Sequence, residues 1–410
     1  MGAGAAHGGE RRAGARLALG LLLLAGVVNY IDRVALSLAS PQIAAELHLR
    51  PSRTGVLLSA FLWAYALAQA PAGALADRAP PRRLLGAAML LWSAAQAASG
   101  LAVGLPQLIA ARLALGLGES PQFPVAARVT RSWFEPKHRG LATGVFNSAS
   151  TLGPALAPPI VTALMLGFGW RGAFVATGLA GAAVALVWWT LYRDPPATPG
   201  EAVTAAPSVG WSRLLRSPTL WAMAVGNFGS GYVTWFYAAW LPSYLEAARH
   251  LTMLQTGWAA SIPYLFGFVG SLGGGWACDR LARAGLSPMA SRKAPLVCGL
   301  ALGAGFTGLA LAAPGAGWAI AAISAALLFA NVATASIWAL AVVAAPERAV
   351  GRVGAIQNIG GFLGGAAAPI VTGVLVEATG AFAAPLAVTA GAGLAGALVY
   401  LVGVVQPIRA

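Results

Sequence analysis

Charged side chains are scarce in this chain of 410 residues: only 9% are Asp, Glu, Lys or Arg, whereas 58% are hydrophobic. A water-soluble protein of average composition has about 25% charged residues. A chain this poor in charge cannot cover its own surface with polar groups, so lipid must cover it. The composition therefore predicts a polytopic protein embedded in a lipid bilayer.

Residues that build metal and redox sites are also few. The two cysteines, Cys278 and Cys298, provide neither a disulfide framework nor a metal set. The phosphate-binding motif G-x-x-x-x-G-K-[ST] is missing, so the sequence does not support transport driven by ATP. A nucleophile–base set and an added soluble domain are missing too, which argues against an intramembrane enzyme or a sensor. We therefore expect no cofactor, no metal ion and no catalytic residues.

Acidic residues are outnumbered by basic ones, and the formal net charge is +14. In a soluble protein this charge would suggest a nucleic-acid partner, but membrane proteins concentrate Lys and Arg in their cytoplasmic loops. With the N-terminus inside, cytoplasmic segments hold about 20 of the 26 basic residues and outer loops about four. This bias predicts that both termini are cytoplasmic and removes the need for nucleic acid.

Long apolar segments are abundant. A helix needs about 20 apolar residues to cross roughly 30 Å of hydrocarbon, and lipid leaves backbone groups no partner outside a helix. We count twelve such segments: 15–38, 53–76, 84–104, 107–132, 140–166, 171–191, 219–245, 254–277, 295–313, 317–343, 351–376 and 382–405. The longest polar stretch, rich in Pro, Ala and Thr, is typical of a flexible linker. We predict a six-helix bundle (1–191), a cytoplasmic linker (192–218) and a second six-helix bundle (219–410).

The two halves repeat. "GALADR" at 73–78 and "GWACDR" at 275–280 share the pattern G-x-x-x-D-R, and 136–162 aligns with 346–372 at a constant offset of 210 residues. Two similar halves are typical of a transporter whose substrate site lies between them near mid-membrane. The glycine runs "GGFLGG" and "GSLGGG" are typical of close helix packing rather than of nucleotide binding.

Four charged residues interrupt the apolar segments: Asp32, Arg33, Arg112 and Glu119. A charge near the bilayer centre costs roughly 2.5–3.5 kcal/mol on insertion scales, so each needs a reason. A carboxyl in a medium of low dielectric constant can bind and release a proton near neutral pH. The arginine fork accepts a carboxylate through two hydrogen bonds. We predict that Asp32 couples transport to protons and that Arg33 anchors an anionic substrate, with purely structural roles as the alternatives.

Arg112 and Glu119 are seven residues apart and share a helix face, but about 10.5 Å of helix rise separates them. This distance is long for a direct bond within one helix, so we expect both to join a network with neighbouring helices. Glu119 is the candidate for a second proton-coupling site and Arg112 a member of its charge network. The alternative is a static buried pair, because opposite charges lower each other's cost of burial.

Uncharged polar and aromatic residues inside the apolar segments are candidates for binding substrate hydroxyl groups. They are Tyr65, Asn147, Ser150, Trp338, Gln357 and Asn358. The alternative is hydrogen bonding between helices, worth about 0.6 kcal/mol on average in membranes, or an aromatic position at the membrane interface.

Several motifs together resemble the major facilitator superfamily and, within it, the anion:cation symporters. They are "NYIDR" at 29–33, "RLALGLGESPQFP" at 112–124, "WFEPKHRGLATGVF" at 133–146, "GWRGAF" at 169–174 and "TWFYAAWLPSYL" at 234–245. The resemblance covers about 20–405. It implies an all-α fold of twelve transmembrane helices in two six-helix bundles, located in a bacterial inner membrane. It also implies proton symport of a sugar acid such as galactonate, hexuronate or glucarate, by a chain that we expect to be a monomer.

The resemblance implies the same roles for Asp32 and Glu119 in proton coupling and for Arg33 in meeting the substrate carboxylate. By the same comparison, Tyr65 lies at a position that contacts substrate in galactonate symporters. Trp338 and Asn358 match further contact positions of this kind. Ser150 stands where those proteins have Gln, so the identity of the sugar acid stays open.

The resemblance also implies gating roles at two cytoplasmic helix ends, where Asp77 with Arg78 and Asp279 with Arg280 recur in the two halves. The acid would hold the gate shut by capping a helix N-terminus, where negative charge is favoured. Pro80 replaces the glycine that is usual in the first copy of this loop. Two alternatives to symport remain: a proton-coupled exporter and an uncoupled facilitator of another small organic acid, aromatic or dicarboxylic.

Overall fold

A computed structural model describes residues 2–195, 211–346 and 349–408, and these residues form helices without strands. The predicted all-α class is therefore confirmed. Residues 196–210, which make up most of the predicted linker, lie outside the described residues, as do Glu347 and Arg348.

Fourteen helices occur in the described ranges. They are α1 (Gly2–Glu46), α2 (Pro51–Arg78), α3 (Pro81–Gly100), α4 (Leu105–Glu119), α5 (Gln122–Trp133), α6 (Pro136–Asn147), α7 (Ala149–Leu191), α8 (Trp211–Leu215), α9 (Pro218–Ala247), α10 (Met253–Arg283), α11 (Pro288–Leu311), α12 (Ala316–Ala344), α13 (Val350–Thr379) and α14 (Ala383–Gly403). Several begin with proline, whose fixed φ suits the first helical turn and whose missing N–H costs nothing there.

The fourteen helices and the twelve predicted segments differ at four places. The segments at 107–132 and 140–166 are each divided between two helices, α7 joins two segments, and α8 lies in the predicted linker. The segment predicted at 107–132 is interrupted between α4 and α5, where Ser120 and Pro121 follow Glu119. Pro121 has no backbone N–H, so it cannot donate the next helical hydrogen bond. Within α7, Gly169 has φ 67° and ψ 173°, a left-handed value of φ that favours glycine. This break separates the segments predicted at 140–166 and 171–191.

Seven stretches of the described residues are long and apolar enough to cross a membrane by length and composition. They are Ala13–Glu46, Pro51–Arg78, His138–Leu191, Pro288–Leu311, Ala316–Ala344, Val350–Thr379 and Ala383–Gly403. One of these stretches, His138–Leu191, contains two of the predicted segments. The number of stretches therefore does not equal the number of spans, and the count of twelve stays a prediction.

The chain divides into two compact units. Unit 1 comprises Met1–Leu47 and Ala60–Glu201, and unit 2 comprises His48–Ser59 and Ala202–Ala410. The boundary after Glu201 falls in the predicted linker, whereas the start of α2 groups with unit 2. The domain limits of the sequence analysis stay a prediction. In unit 1, α7 packs along α1 and α3; in unit 2, α9 packs along α13 and α14, and α12 along α10 and α11.

Glycine permits the closest of these helix contacts. A methyl group added at Gly360 would lie 1.9 Å from the carbonyl oxygen of Ala224, and one at Gly364 would lie 2.0 Å from that of Phe228. Gly270 approaches the Leu328 carbonyl in the same way. The predicted packing role of "GGFLGG" and "GSLGGG" is therefore confirmed within unit 2.

Candidate functional site

Unit 1 brings together the charged residues that interrupt its apolar segments. Arg33 on α1 donates from Nε to Oε2 of Glu119 on α4, at 2.7 Å. The Arg33 side chain is 7% exposed and that of Glu119 is fully buried. Withdrawing such a pair from water is costly, and losing either partner would leave an uncompensated buried charge. The expected network between helices is present at this pair.

Aromatic rings surround the Arg33 guanidinium. Its Cζ lies 4.7 Å from the ring centroid of Tyr30, 4.8 Å from that of Phe61 and 4.7 Å from that of Tyr65. A desolvated cation over an aromatic face gains about 2 kcal/mol. The rings therefore hold the guanidinium without consuming its donors, and its buried Nη2 has no hydrogen-bond partner among the described residues. An added carboxylate would satisfy this donor.

Asp32 occupies a different environment from its neighbour. Its side chain is fully buried, and neither carboxylate oxygen has a hydrogen-bond partner of ordinary geometry in the described part of the chain. The groups that act on it electrostatically are Glu119, Arg112 and the Thr177 hydroxyl. An ionised carboxylate without a bonded cation is expensive to bury. The arrangement therefore suits an Asp32 that carries a proton.

Arg112 is also buried, at 1% exposure, yet it forms no ion pair with a carboxylate of the described residues. Its Nη2 donates to Oε1 of Gln96 at 2.8 Å and to Oγ of Ser99 at 2.9 Å. Its Nη1 contacts the backbone oxygen of Asp32 at 3.4 Å. The structure thus provides neutral partners for Arg112, and a static ion pair with Glu119 is not formed.

Sequence reasoning missed the residues that hold Arg112. Gln96 and Ser99 are three positions apart on α3 and lie in "AAQAASG", where a lone glutamine in an apolar segment was the available clue. Gln96 also donates from Nε2 to the hydroxyl of Thr177 on α7 at 2.9 Å. No spacing rule connects Thr177 with α3, because only the packing of α7 against α3 brings them together.

The remaining unit 1 candidates are spread out. Tyr65 is buried in the aromatic surround of Arg33. Asn147 ends α6 with an exposed side chain, and the Ser150 hydroxyl donates to the backbone oxygen of Asn147 at 2.8 Å. The Ser150 hydroxyl hydrogen is thus used within the chain, while its oxygen can still accept.

In unit 2, Trp338 and Asn358 line one cavity of about 290 Å³ between α12 and α13. Trp338 is 53% exposed, so its ring is accessible for stacking. Gln357 is buried instead, where its Nε2 contacts the Ile337 backbone oxygen at 3.4 Å and its own backbone oxygen accepts from Asn227. The structure thus brings Trp338 and Asn358 together as candidates, whereas the hydrogen bonds of Gln357 connect helices.

The four gating candidates are exposed. Asp77 and Arg78 lie in the last turn of α2, and Asp279 and Arg280 lie in that of α10. No side chain caps the following helix α3, and Ser287 caps α11. Their gating role stays a prediction.

The carbonyl groups at the end of α2 do have a partner. Arg128 of α5 donates from Nη1 to the backbone oxygen of Ala79 at 2.7 Å and also to that of Ala76. Within the described ranges, no group of three or more His, Cys, Asp or Glu side chains could hold a metal ion.

Comparison with known proteins places these features in context. The family model described as Major Facilitator Superfamily matches residues 22–369. The chain is 40% identical to the "Probable L-galactonate transporter" of Escherichia coli K12, over 95% of this chain and 89% of that protein. It is 32% identical to the "D-galactonate transporter" of Escherichia coli O6:H1, over 97% and 96% of the two chains. The "Hexuronate transporter" of Bacillus subtilis is 30% identical over 88% of each chain.

Among solved structures, the chain is similar to a bacterial homologue of the human lysosomal transporter Spinster in an inward-facing, unoccupied conformation. The TM-score is 0.78 at 18% sequence identity, with 95% of each chain covered. At this identity the likeness shows a shared fold.

Proposed function

This chain belongs to the Major Facilitator Superfamily, and on that premise we propose that it carries a galactonate-type sugar acid together with protons. The family is one of multi-pass membrane transporters, so the chain is a transporter and not an enzyme. L-Galactonate is the first candidate substrate, because the relative at 40% identity is described as its transporter. Glucuronate-type hexuronates and glucarate are the next candidates.

The observation that carries this proposal is the buried ion pair between Arg33 and Glu119. A second carboxylate, that of a sugar acid, competes with Glu119 for the same guanidinium. The arginine fork can hold it through two parallel hydrogen bonds, which are stronger than neutral ones. The surrounding rings of Tyr30, Phe61 and Tyr65 keep the fork in place.

Proton coupling follows from this competition. When Glu119 takes up a proton, its attraction to Arg33 weakens and the guanidinium is released to the substrate anion. Asp32 carries the second proton in a site that disfavours an uncompensated charge. Once the anion leaves, Glu119 loses its proton and pairs with Arg33 again. Release of the substrate is thereby tied to release of the proton, as alternating access by symport requires.

Hydroxyl groups of the sugar acid are assigned to uncharged residues. In unit 2 the Trp338 ring offers a face for stacking, and the Asn358 amide, on the same cavity, offers a donor and an acceptor. In unit 1, Tyr65, Asn147 and Ser150 remain candidates. The cavity shared by Trp338 and Asn358 supports their assignment, and the exposed side chain of Asn147 supports that of Asn147.

We place the transporter in the bacterial inner membrane as a monomer with both termini in the cytoplasm. The membrane is supported by the Escherichia coli relatives. The orientation is supported by the bias of Lys and Arg toward cytoplasmic segments.

The test reconstitutes the purified chain in proteoliposomes and records the external pH after addition of L-galactonate, D-galactonate, glucuronate or glucarate. Symport predicts external alkalinisation with a sugar acid and none with neutral galactose. Uptake of a labelled sugar acid without a pH change would indicate an uncoupled facilitator and overturn the proton part of the proposal. Absence of uptake for every sugar acid would overturn the substrate part.

A further inference from the structure

Arg112 differs from Arg33 because its hydrogen-bond partners are neutral groups and not a carboxylate. A fully buried guanidinium gains most from a carboxylate, because the carboxylate adds an opposite charge and can accept two parallel hydrogen bonds. Asp32 is close enough for its backbone oxygen to accept from Arg112. Its carboxylate nevertheless stays outside ion-pair distance. Gln96 and Ser99 accept from Nη2 of Arg112 instead, while the buried Nε has no hydrogen-bond partner in the described part of the chain.

Gln96 has a fixed orientation, because its two amide atoms have different partners. Its Oε1 accepts from Arg112, which has only donors, so Nε2 must be the end that donates to Thr177. The Thr177 hydroxyl is in turn one of the groups that act on Asp32. The Thr177 hydroxyl accepts from Gln96 and donates to the backbone oxygen of Phe174 at 3.2 Å. The group through which Gln96 can act on a charge at Asp32 is therefore the Arg112 guanidinium.

We propose that Gln96 is a positioning residue that holds Arg112 on neutral partners while Asp32 is protonated and yields it to the Asp32 carboxylate after deprotonation. The inference rests on the proposed proton-coupled function and adds the residue that sets the pH of proton release. The proton passes from the Asp32 carboxyl to water. Arg112 then moves its donors from the Gln96 amide oxygen to the newly ionised carboxylate.

The direction of the effect follows from the groups that face Asp32. Among the described residues, Glu119 and Arg112 of α4 and the Thr177 hydroxyl of α7 act on it, and Arg33 is its neighbour in the chain. Glu119 opposes ionisation and Arg112 favours it. A stronger hold on Arg112 therefore keeps Asp32 protonated to higher pH, and a weaker hold lets it ionise at lower pH.

Two substitutions of Gln96 test this with opposite signs. Gln96→Leu removes both Gln96 hydrogen bonds and leaves Ser99 as the remaining neutral side-chain partner of Arg112, which loosens the hold on Arg112. Sugar-acid-driven proton uptake should therefore lose its activity at a lower pH than in the wild type. Gln96→Glu binds Arg112 through a charge and adds a negative group near Asp32, so activity should persist to a higher pH. Each midpoint should move by about one pH unit, the size expected for one nearby charge.

Further variants separate positioning from structure. Ser99→Ala removes one neutral partner of Arg112 and should move the midpoint in the direction of Gln96→Leu by a smaller amount. Ser93→Ala is the matched control, because its buried hydroxyl on the same helix has no hydrogen-bond partner in the described part of the chain. For each variant, the pH profile of proton uptake is scaled to its own maximum. A smaller amount of folded protein then lowers the signal but does not move the pH midpoint.

The outcomes are distinct. If the wild type takes up no protons with any sugar acid, the proposed function is wrong and this inference falls with it. If both Gln96 variants have the wild-type midpoint, or if both shift it in the same direction, only the positioning role is overturned. Shifts of opposite sign support the positioning role, because a loss of packing alone would not shift the midpoint in a direction that depends on charge.

Discussion

Arg33 and Glu119 are 86 positions apart in the chain, yet the Nε of the arginine donates to the carboxylate at 2.7 Å in the interior of unit 1. The contact joins α1 to α4 and leaves Nη2 of the guanidinium without a partner among the described residues. A charged group that is satisfied on one side only can exchange partners. On the proposed function, the substrate carboxylate binds at this donor, and the first two predictions follow from that proposal.

Glu119→Gln should uncouple transport. The substituted amide carries no proton load and releases Arg33 permanently to the substrate, so proton uptake should disappear. Exchange of labelled galactonate across the membrane, which needs no net proton movement, should continue. The measurement compares counterflow with external pH in the same proteoliposomes, and Asp194→Asn, at an exposed position outside the membrane segments, is the control. Retention of full proton uptake by Glu119→Gln would contradict this role.

Arg33→Lys should weaken binding of the sugar acid while keeping the positive charge. An ammonium cannot form the two parallel hydrogen bonds of a guanidinium and lacks its planar stacking on Tyr30, Phe61 and Tyr65. Loss of one charge-assisted hydrogen bond, about 1.5–3 kcal/mol, corresponds to at least a tenfold rise in KM. Uptake kinetics measure this rise, with Arg53→Lys at an exposed position as the matched control. An unchanged KM would show that Arg33 does not contact the substrate.

Gly364→Ala should destabilise unit 2. The added methyl group would lie 2.0 Å from the carbonyl oxygen of Phe228, so α13 must move away from α9. Forced insertion of this kind costs typically 1–3 kcal/mol. Gly305→Ala is the matched control, because a methyl group there meets nothing within 4 Å and improves helix propensity. Thermal unfolding in detergent should show a lower Tm for the first variant and an equal or higher Tm for the second.

Glu246→Gln should alter how stability depends on pH. The carboxyl lies just beyond the segment predicted at 219–245, and its partial burial raises its pKa from 4.5 to about 7. Because the folded state binds this proton more tightly, its contribution is present at low pH and is lost as the pH rises through about 7. The variant, which resembles the protonated form, should have the higher Tm at about pH 8.

The same difference in Tm should shrink as the pH falls and approach zero below about pH 4.5, where the carboxyl is protonated in both the folded and the unfolded chain. Asp279→Asn, at an exposed position, should reproduce the wild-type dependence on pH. A constant difference between Glu246→Gln and the wild type at both pH values would refute the assignment.

Much of the architecture could be predicted because lipid imposes strong rules on composition. A chain with 9% charged residues has few ways to fold outside a membrane, and backbone groups in lipid require helices. The close contacts of α13 followed from its glycines. Asp32, Arg33 and Glu119 stood out because charges inside apolar segments are rare, which made each one a candidate site residue.

The pairing of these charges was decided by the tertiary structure alone. The sequence placed Arg33 beside Asp32 and Arg112 on the face of Glu119, but in the fold the Arg33 side chain of α1 reaches Glu119 of α4 instead. Arg112 finds its partners Gln96 and Ser99 only because α3 and α7 enclose it. The same packing brings Gln96 against Thr177. Hydrophobic burial depends on composition and can be read along the chain, whereas a hydrogen bond depends on distances of a few tenths of an ångström between separate helices.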